Sequence, residues 1–171
     1  MDKFDSGKYE IYGASPSKFS DIELSALRMK NIGFIFQGFH LNPTLKAYEN
    51  VIMPMLINKG INSKDRKNKA IELLKSVGLG ERIDHFPKEL SGGEQQRVAI
   101  ARALANNPHI ILVDEPIGNL DAKMEKEIFI TLKKLSQNGK CVIVVSHSDY
   151  VKDFADTIYE IIDGKIIGDT K

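Results

Sequence analysis

The sequence predicts an α/β fold with a mostly parallel sheet and a helical subdomain inserted between its strands, and three observations carry that expectation. Residues 110–113 and 142–145 are continuous apolar runs rich in β-branched side chains, the pattern of strands buried on both faces. Between them, residues 122–137 have helical spacing, with Met124, Ile128, Leu132 and Leu135 on one stripe. Strand, helix, strand in that order implies a right-handed crossover within a parallel sheet. Residues 43–107 are turn-rich and then helical, which makes them the insert.

The elements follow in order. Residues 5–7 read as a turn and residues 9–12 as a short strand. Residues 21–30 carry Ile22, Leu24 and Leu27 at helical spacing, and residues 32–36 form an apolar strand that ends at Gln37. Residues 63–77 read as an amphipathic helix with Ala70, Ile71, Leu74 and Val77 on one face and Gly78 as its stop. A second helix opens on a glycine pair within residues 90–107 and ends before Pro108, and Gly139 suits the cap of the 122–137 helix. Near the end, residues 157–162 and 165–167 flank Asp163-Gly164, the strongest short hairpin signal.

At 171 residues, 42% hydrophobic and 27% charged, the chain fits one soluble domain. Its 24 Lys plus Arg against 23 Asp plus Glu leave a net charge of +1, which argues against an obligate nucleic-acid binder. No apolar run approaches membrane-spanning length, and residues 1–12 lack a signal pattern. The expectation is a cytoplasmic protein that reaches a membrane only through a partner. The single cysteine, Cys141, reads as a small buried hydrophobe.

Leu90-Ser91-Gly92-Gly93-Glu94-Gln95-Gln96-Arg97 has capping-box spacing between Ser91 and Glu94. A helix N-terminus with free N–H groups and two glycines can receive an anion, although for Ser-Gly-Gly-Glu alone a plain capped helix start is the better account. Asp114 and Glu115 follow directly on an apolar strand, where parallel sheets bind ligands. There Asp114 suits Mg²⁺, through water, and Glu115 suits polarisation of an attacking water; an acidic turn at a strand end is the plain alternative. His147 follows the last apolar run, and Gln37 ends an earlier one; neither means much alone.

Together these strings resemble the ATP-binding domain of ABC transporters, over nearly the whole chain. The octapeptide resembles the ABC signature, which in that family binds the γ-phosphate of an ATP held by the other subunit. Residues 110–115 resemble Walker B with its catalytic glutamate, Gly118-Asn119-Leu120-Asp121 the D-loop, Ser146-His147 the switch histidine, and residues 32–43 the Q-loop. Asp121 serves equally as an N-cap. Ile117 stands where the family usually has Thr.

The resemblance implies a P-loop NTPase fold in three parts: residues 1–42 from the N-terminal core, 43–107 the helical subdomain with the signature, and 108–171 a RecA-like core. It implies ATP and Mg²⁺ as cofactors. Catalysis would rest on Glu115, His147 and Gln37. Ser91, Gly92, Gly93, Glu94 and Asp121 would contact nucleotide, with Asp114 and Gln37 at the metal. The implied partners are a transmembrane permease, at the inner face of the cell membrane, and a second ATPase subunit arranged head to tail.

Within the family, Gly38-Phe39-His40-Leu41-Asn42-Pro43, Glu49-Asn50-Val51 and Glu115-Pro116-Ile117-Gly118-Asn119-Leu120-Asp121 resemble the lipoprotein-release, macrolide-export and antimicrobial-peptide-resistance branch. Phe39, Leu41, Tyr48, Met53 and Met55 read evenly as core or as the lining of a groove that grips the permease.

No G-x-x-x-x-G-K-[ST] occurs anywhere in these residues. Its backbone N–H groups, lysine and hydroxyl cradle phosphates and Mg²⁺. The opening residues resemble those just after that motif, so the N-terminal part is expected to be missing. Three consequences are expected: no appreciable ATP hydrolysis by these residues alone, unpaired sheet edges, and exposed apolar surface. Two other readings stand beside the transporter ATPase. One is a degenerate module that donates only its signature to a partner ATPase. The other is a soluble ABC ATPase of translation or DNA repair, which the neutral charge and the absence of a second cassette disfavour.

Overall fold

The computed structural model describes residues 6–11, 13, 15, 19–116 and 122–169. Helix α1 (Asp21–Asn31) runs directly into strand β1 (Ile32–Ile35). Helices α2 (Ala47–Ile52), α3 (Arg66–Ser76) and α4 (Gly92–Ala103) follow. Strand β2 (Ile110–Asp114), helix α5 (Ala122–Gln137) and strand β3 (Cys141–Val145) come next, then a short helix α6 (Val151–Phe154) and strands β4 (Tyr159–Ile162) and β5 (Lys165–Asp169). The α/β class is as expected.

β1, β2 and β3 form one parallel sheet in that order. Ile35 pairs with Val113, and Asp114 with Val145, so the three strands end level with one another. β2 is central, and its Ile111 and Val113 are buried. α5 lays Ile128, Phe129 and Leu132 into the core, and Phe129 stacks on Phe154 of α6 at 5.7 Å.

Two expectations fail at β3. It is not buried on both faces, and Cys141 is exposed rather than buried. The cause is geometric. β3 is the last strand of the sheet. The core packs against Val142 and Val144, whereas Ile143 and Val145 lie 51% and 60% exposed on the opposite face. With Phe34, Phe36 and Leu112 they line a shallow apolar depression. The expected unpaired edge and exposed apolar surface are therefore both present among the described residues.

The helical layer is α2, α3 and α4; their Val51, Leu74, Val98 and Ile100, and Met55 in the turn after α2, are almost wholly buried. Asn50, 1% exposed, is satisfied at every polar atom: its Nδ2 donates to the carbonyls of Asn42, Leu45 and Lys46, and its Oδ1 accepts from the Asn42 N–H at 2.7 Å. That network folds residues 42–46 onto α2, removing the cost of unpaired buried amide groups. α3 starts three residues later than expected, at Arg66, because residues 62–65 form a turn (Asp65 N–H to Asn62 carbonyl, 3.0 Å). Its stop is as read: Gly78 has φ +79° and Leu79 N–H returns to the Leu74 carbonyl at 2.9 Å, a left-handed helix end that suits glycine. α4 spans 92–103, shorter than the expected 90–107, because the chain closes into turns after it, with the Ala105 N–H on the Arg102 carbonyl at 3.1 Å and the Asn107 N–H on the Leu104 carbonyl at 2.8 Å.

The expected strand at 9–12 reduces to a single bridge at Ile11, and Tyr12 lies outside the described residues. β4 and β5 pair antiparallel around Asp163 (φ +49°) and Gly164 (φ +74°), the geometry of a type I′ turn. No helix among the described residues is long and apolar enough to cross a membrane.

One close approach locks the two layers. A Cβ on Gly33 of β1 would lie 2.5 Å from the carbonyl oxygen of Ala103, at the end of α4. That neighbour is backbone and cannot swing aside. Gly33→Ala is therefore expected to destabilise the fold by about 1–3 kcal/mol through overpacking, measured as a lower urea midpoint with an unchanged m-value.

Candidate functional site

The level ends of β1, β2 and β3 gather the first group of candidate residues. Gln37 and Glu115 each lie two positions past a paired residue, Ile35 and Val113. Glu115 leaves β2 with φ +42°, a left-handed conformation uncommon for a residue with a side chain. Two bonds hold it there. Its N–H donates to the Val145 carbonyl at 3.0 Å, continuing the β2–β3 ladder by one residue. Its carboxylate Oε1 accepts from the His147 backbone N–H at 2.9 Å. Backbone strain of about 1–3 kcal/mol is offset by contacts of this kind and recurs at functional sites.

The Glu115 carboxylate is largely buried, whereas the His147 ring is 99% exposed with its Nε2 3.6 Å from Glu115 Oε1. Asp114 and Gln37 are exposed. The structure thus brings Gln37, Asp114, Glu115 and His147 to one edge of the sheet.

The second group lies at the start of α4. Ser91 is the N-cap: its Oγ accepts from the Glu94 N–H at 3.3 Å, and Glu94 Oε2 accepts from the Ser91 N–H at 2.8 Å. Gly93 is required by packing, since a Cβ there would lie 2.9 Å from Met124 Sδ in the first turn of α5. Gly92 is the first residue of the helix, beside it. Gln96, one turn on, is wholly buried, and neither polar atom of its side chain has a partner among the described residues.

No hydrogen bond among the described residues joins the Ser91–Glu94 turn to Gln37, Asp114, Glu115 or His147. Asp121 and the expected D-loop, residues 118–121, lie outside the described residues, as does Ile117. Of the residues read evenly as core or groove, Met55 is core, fully buried, and Met53 is 46% exposed. An open groove does exist nearby, but its walls are other side chains, among them Met29, Phe36, His40, Ile57 and Arg102.

Four partners were not legible in the sequence. Arg82 Nε donates to Glu94 Oε1 at 3.0 Å. Ser146 Oγ lies 3.5 Å from Glu115 Oε2. The Ser148 hydroxyl donates to Glu125, tying the loop after β3 to the first turn of α5. The Arg102 guanidinium donates to the carbonyls of Phe39 and His40. Their separations, from 12 to 63 residues, follow no helix or strand period.

This combination of fold and strand-end residues has counterparts. The sequence profile of the family described as "ABC transporter" matches residues 2–118. An ABC transporter ATP-binding protein of Thermotoga maritima is 49% identical over 168 residues, 98% of this chain and 71% of that protein. The macrolide export ATP-binding/permease protein MacB of Bartonella quintana is 47% identical over 169 residues, which is 99% of this chain but 26% of the relative. Among solved structures, the dimeric post-hydrolysis state of the ATP-binding cassette MJ0796, bound to ADP and Pi, superposes with a TM-score of 0.86 at 42% identity, covering 99% of this chain and 75% of that one. The chain belongs to the ABC transporter ATP-binding family.

The capping box has a measurable signature. The Ser91 backbone N–H, and then Arg82, hold the Glu94 carboxyl below its ordinary value. A depressed folded pKa stabilises the fold above the unfolded value, about 4.3, and that contribution disappears as pH falls through the folded value. Glu94→Gln is expected to cost about 1 kcal/mol near pH 6. The gap to the parent chain should narrow as pH falls below the unfolded value and close once it passes the depressed folded one, read from urea unfolding at each pH.

Proposed function

We propose that this chain works as the ATP-hydrolysing subunit of an ABC transporter, with the first group of residues handling one face of the nucleotide and the α4 N-terminus serving an ATP held by a second, head-to-tail subunit. The observation that carries this reading is the convergence of Gln37, Asp114, Glu115 and His147 on one sheet edge, with Glu115 bonded to the His147 backbone.

The donors suit the cofactors. Mg²⁺ takes oxygen ligands, keeps several waters and needs only one or two carboxylates beside substrate phosphates. Exposed Asp114 and Gln37 at adjacent strand ends match that demand. Bound MgATP would supply the transferable phosphoryl group and the charge that neutralises it.

The chain's own residues would do the rest. Glu115 orients and polarises the attacking water through its carboxylate, which the His147 N–H fixes in direction. The exposed imidazole of His147, beside the Glu115 carboxylate, would be available to contact the terminal phosphate. Ser91 and the N–H groups of Gly92 and Gly93 offer an anion site at a capped helix end. On the resemblance of residues 118–121 to the D-loop, Asp121 would contact nucleotide as well. The three-part division at residues 42 and 107 belongs to the same reading, with the helical part facing the permease. Placement at the inner face of the cell membrane follows from that partner.

A second reading has one observation in its favour. The α4 N-terminus is fully capped, while the 171 residues contain no G-x-x-x-x-G-K-[ST]. Such a chain could donate its signature to an intact partner ATPase. Mixing the two and finding faster turnover, lost in Ser91→Ala, would establish it.

The leading reading is tested on the cassette assembled with its permease. Glu115→Gln is expected to lower kcat about 100-fold or more while nucleotide binding persists; unchanged turnover would remove Glu115 from the mechanism. These 171 residues by themselves are expected to give no ATP turnover above the Glu115→Gln control.

A further inference from the structure

We infer that Arg102 is a positioning residue that ties the loop after Gln37 to the signature helix, so that this loop follows the helix. The inference rests on the reading of Gln37 and the Ser91 turn as parts of the nucleotide site.

The loop after β1 is strained. Phe39 and His40 are consecutive non-glycine residues at φ +32° and +49°. Each such placement is unfavourable, and it persists only where surrounding contacts over-determine it. Within the loop the His40 N–H donates to the Gly38 carbonyl and the His40 ring lies 5.2 Å from that of Phe36; the long-range contacts to the two carbonyls come from one side chain. Arg102 Nη2 donates to the Phe39 carbonyl at 2.7 Å, and Nη1 donates to the His40 carbonyl. A planar guanidinium can grip two consecutive carbonyls at once, which the single ammonium of lysine cannot do with the same geometry. The charge strengthens both bonds, and partial burial shields the one to Phe39 from water.

Arg102 stands on the last turn of α4, whose first residues are Gly92 and Gly93. The helix is about 18 Å long at 1.5 Å per residue, is held at its far end by the Ser91–Glu94 box, and packs against β1 at Gly33. A shift at its N-terminus is therefore delivered to the Phe39 and His40 carbonyls, and so to Gln37, two residues before Phe39. Asn106, just beyond the same helix, donates to the Pro54 carbonyl at 3.1 Å and accepts from Asn58 at 3.0 Å, extending the grip to the other wall of the open groove.

The test uses the chain as it stands and needs no nucleotide. Backbone ¹⁵N order parameters are measured for the parent, Arg102→Lys and Arg102→Met. Residues 38–41 are expected to be rigid in the parent (about 0.85) and to fall below about 0.6 in Arg102→Met, with Arg102→Lys in between. Residues 96–100 should stay near the parent value in all three. Amide shifts of residues 38–41 are also expected to respond to Ser91→Ala in the parent and not in Arg102→Met.

Unchanged order at 38–41 overturns the inference. So does an equal loss of order at 38–41 and 96–100, which would make Arg102 ordinary packing. Should Arg102→Met fail to fold, Arg102→Lys decides by the same criteria. A failure of ATP turnover in the assembled cassette would remove the nucleotide reading and leave this measurement untouched.

Discussion

The parallel ladder of β1, β2 and β3 is the constraint on which the rest of this structure depends. Because Ile35 pairs with Val113 and Asp114 with Val145, the three strands finish level. Each then releases its next residues on the same edge. The ladder also reaches one residue beyond β2, through the Glu115 N–H to the Val145 carbonyl. A slip of one residue between β2 and β3 would break that bond and move the His147 N–H away from the Glu115 carboxylate. Side chains alternate along a strand, so the same slip would also exchange Val142 and Val144 for Ile143 and Val145 in the core.

The second layer is positioned against the first through small residues and buried amides. Gly33 lets the end of α4 sit on β1, and Gly93 lets its beginning sit on α5. Asn50 folds the 42–46 segment onto α2. The α4 helix has polar attachments at both termini, Ser91 and Glu94 at one and Arg102 at the other, and an ion pair between Arg97 and Glu127 of α5 at mid-length. Gln96, between the two termini, is buried with side-chain polar atoms that have no partner among the described residues.

The open face of the sheet has an energetic meaning of its own. Ile143, Val145 and Phe36 expose apolar area next to Asp114. Apolar surface of this extent favours association. The relatives are longer than this chain, which spans 71% of one and 26% of another. The level strand ends, by contrast, are fully formed within the residues described.

Much of this was legible in the sequence because short-range patterns decide it. Ser91 with Glu94, Asp163 with Gly164, and the stripe of Ile128 and Leu132 each lie within one turn or one helix face, where backbone geometry leaves few options. Asp114 and Glu115 could be named because they follow directly on an apolar strand, whereas His147 and Gln37 gained meaning only from the family resemblance of the strings around them. The rest needed the tertiary structure. Cys141 and β3 were read as buried because a β-branched run looks the same at the centre of a sheet and at its edge; only strand order separates them. The Arg102 grip on Phe39 and His40, the Arg82 bond to Glu94 and the Glu125–Ser148 link join residues by packing rather than by period. Local chemistry determined which groups this protein can present, and long-range packing decided which of them meet.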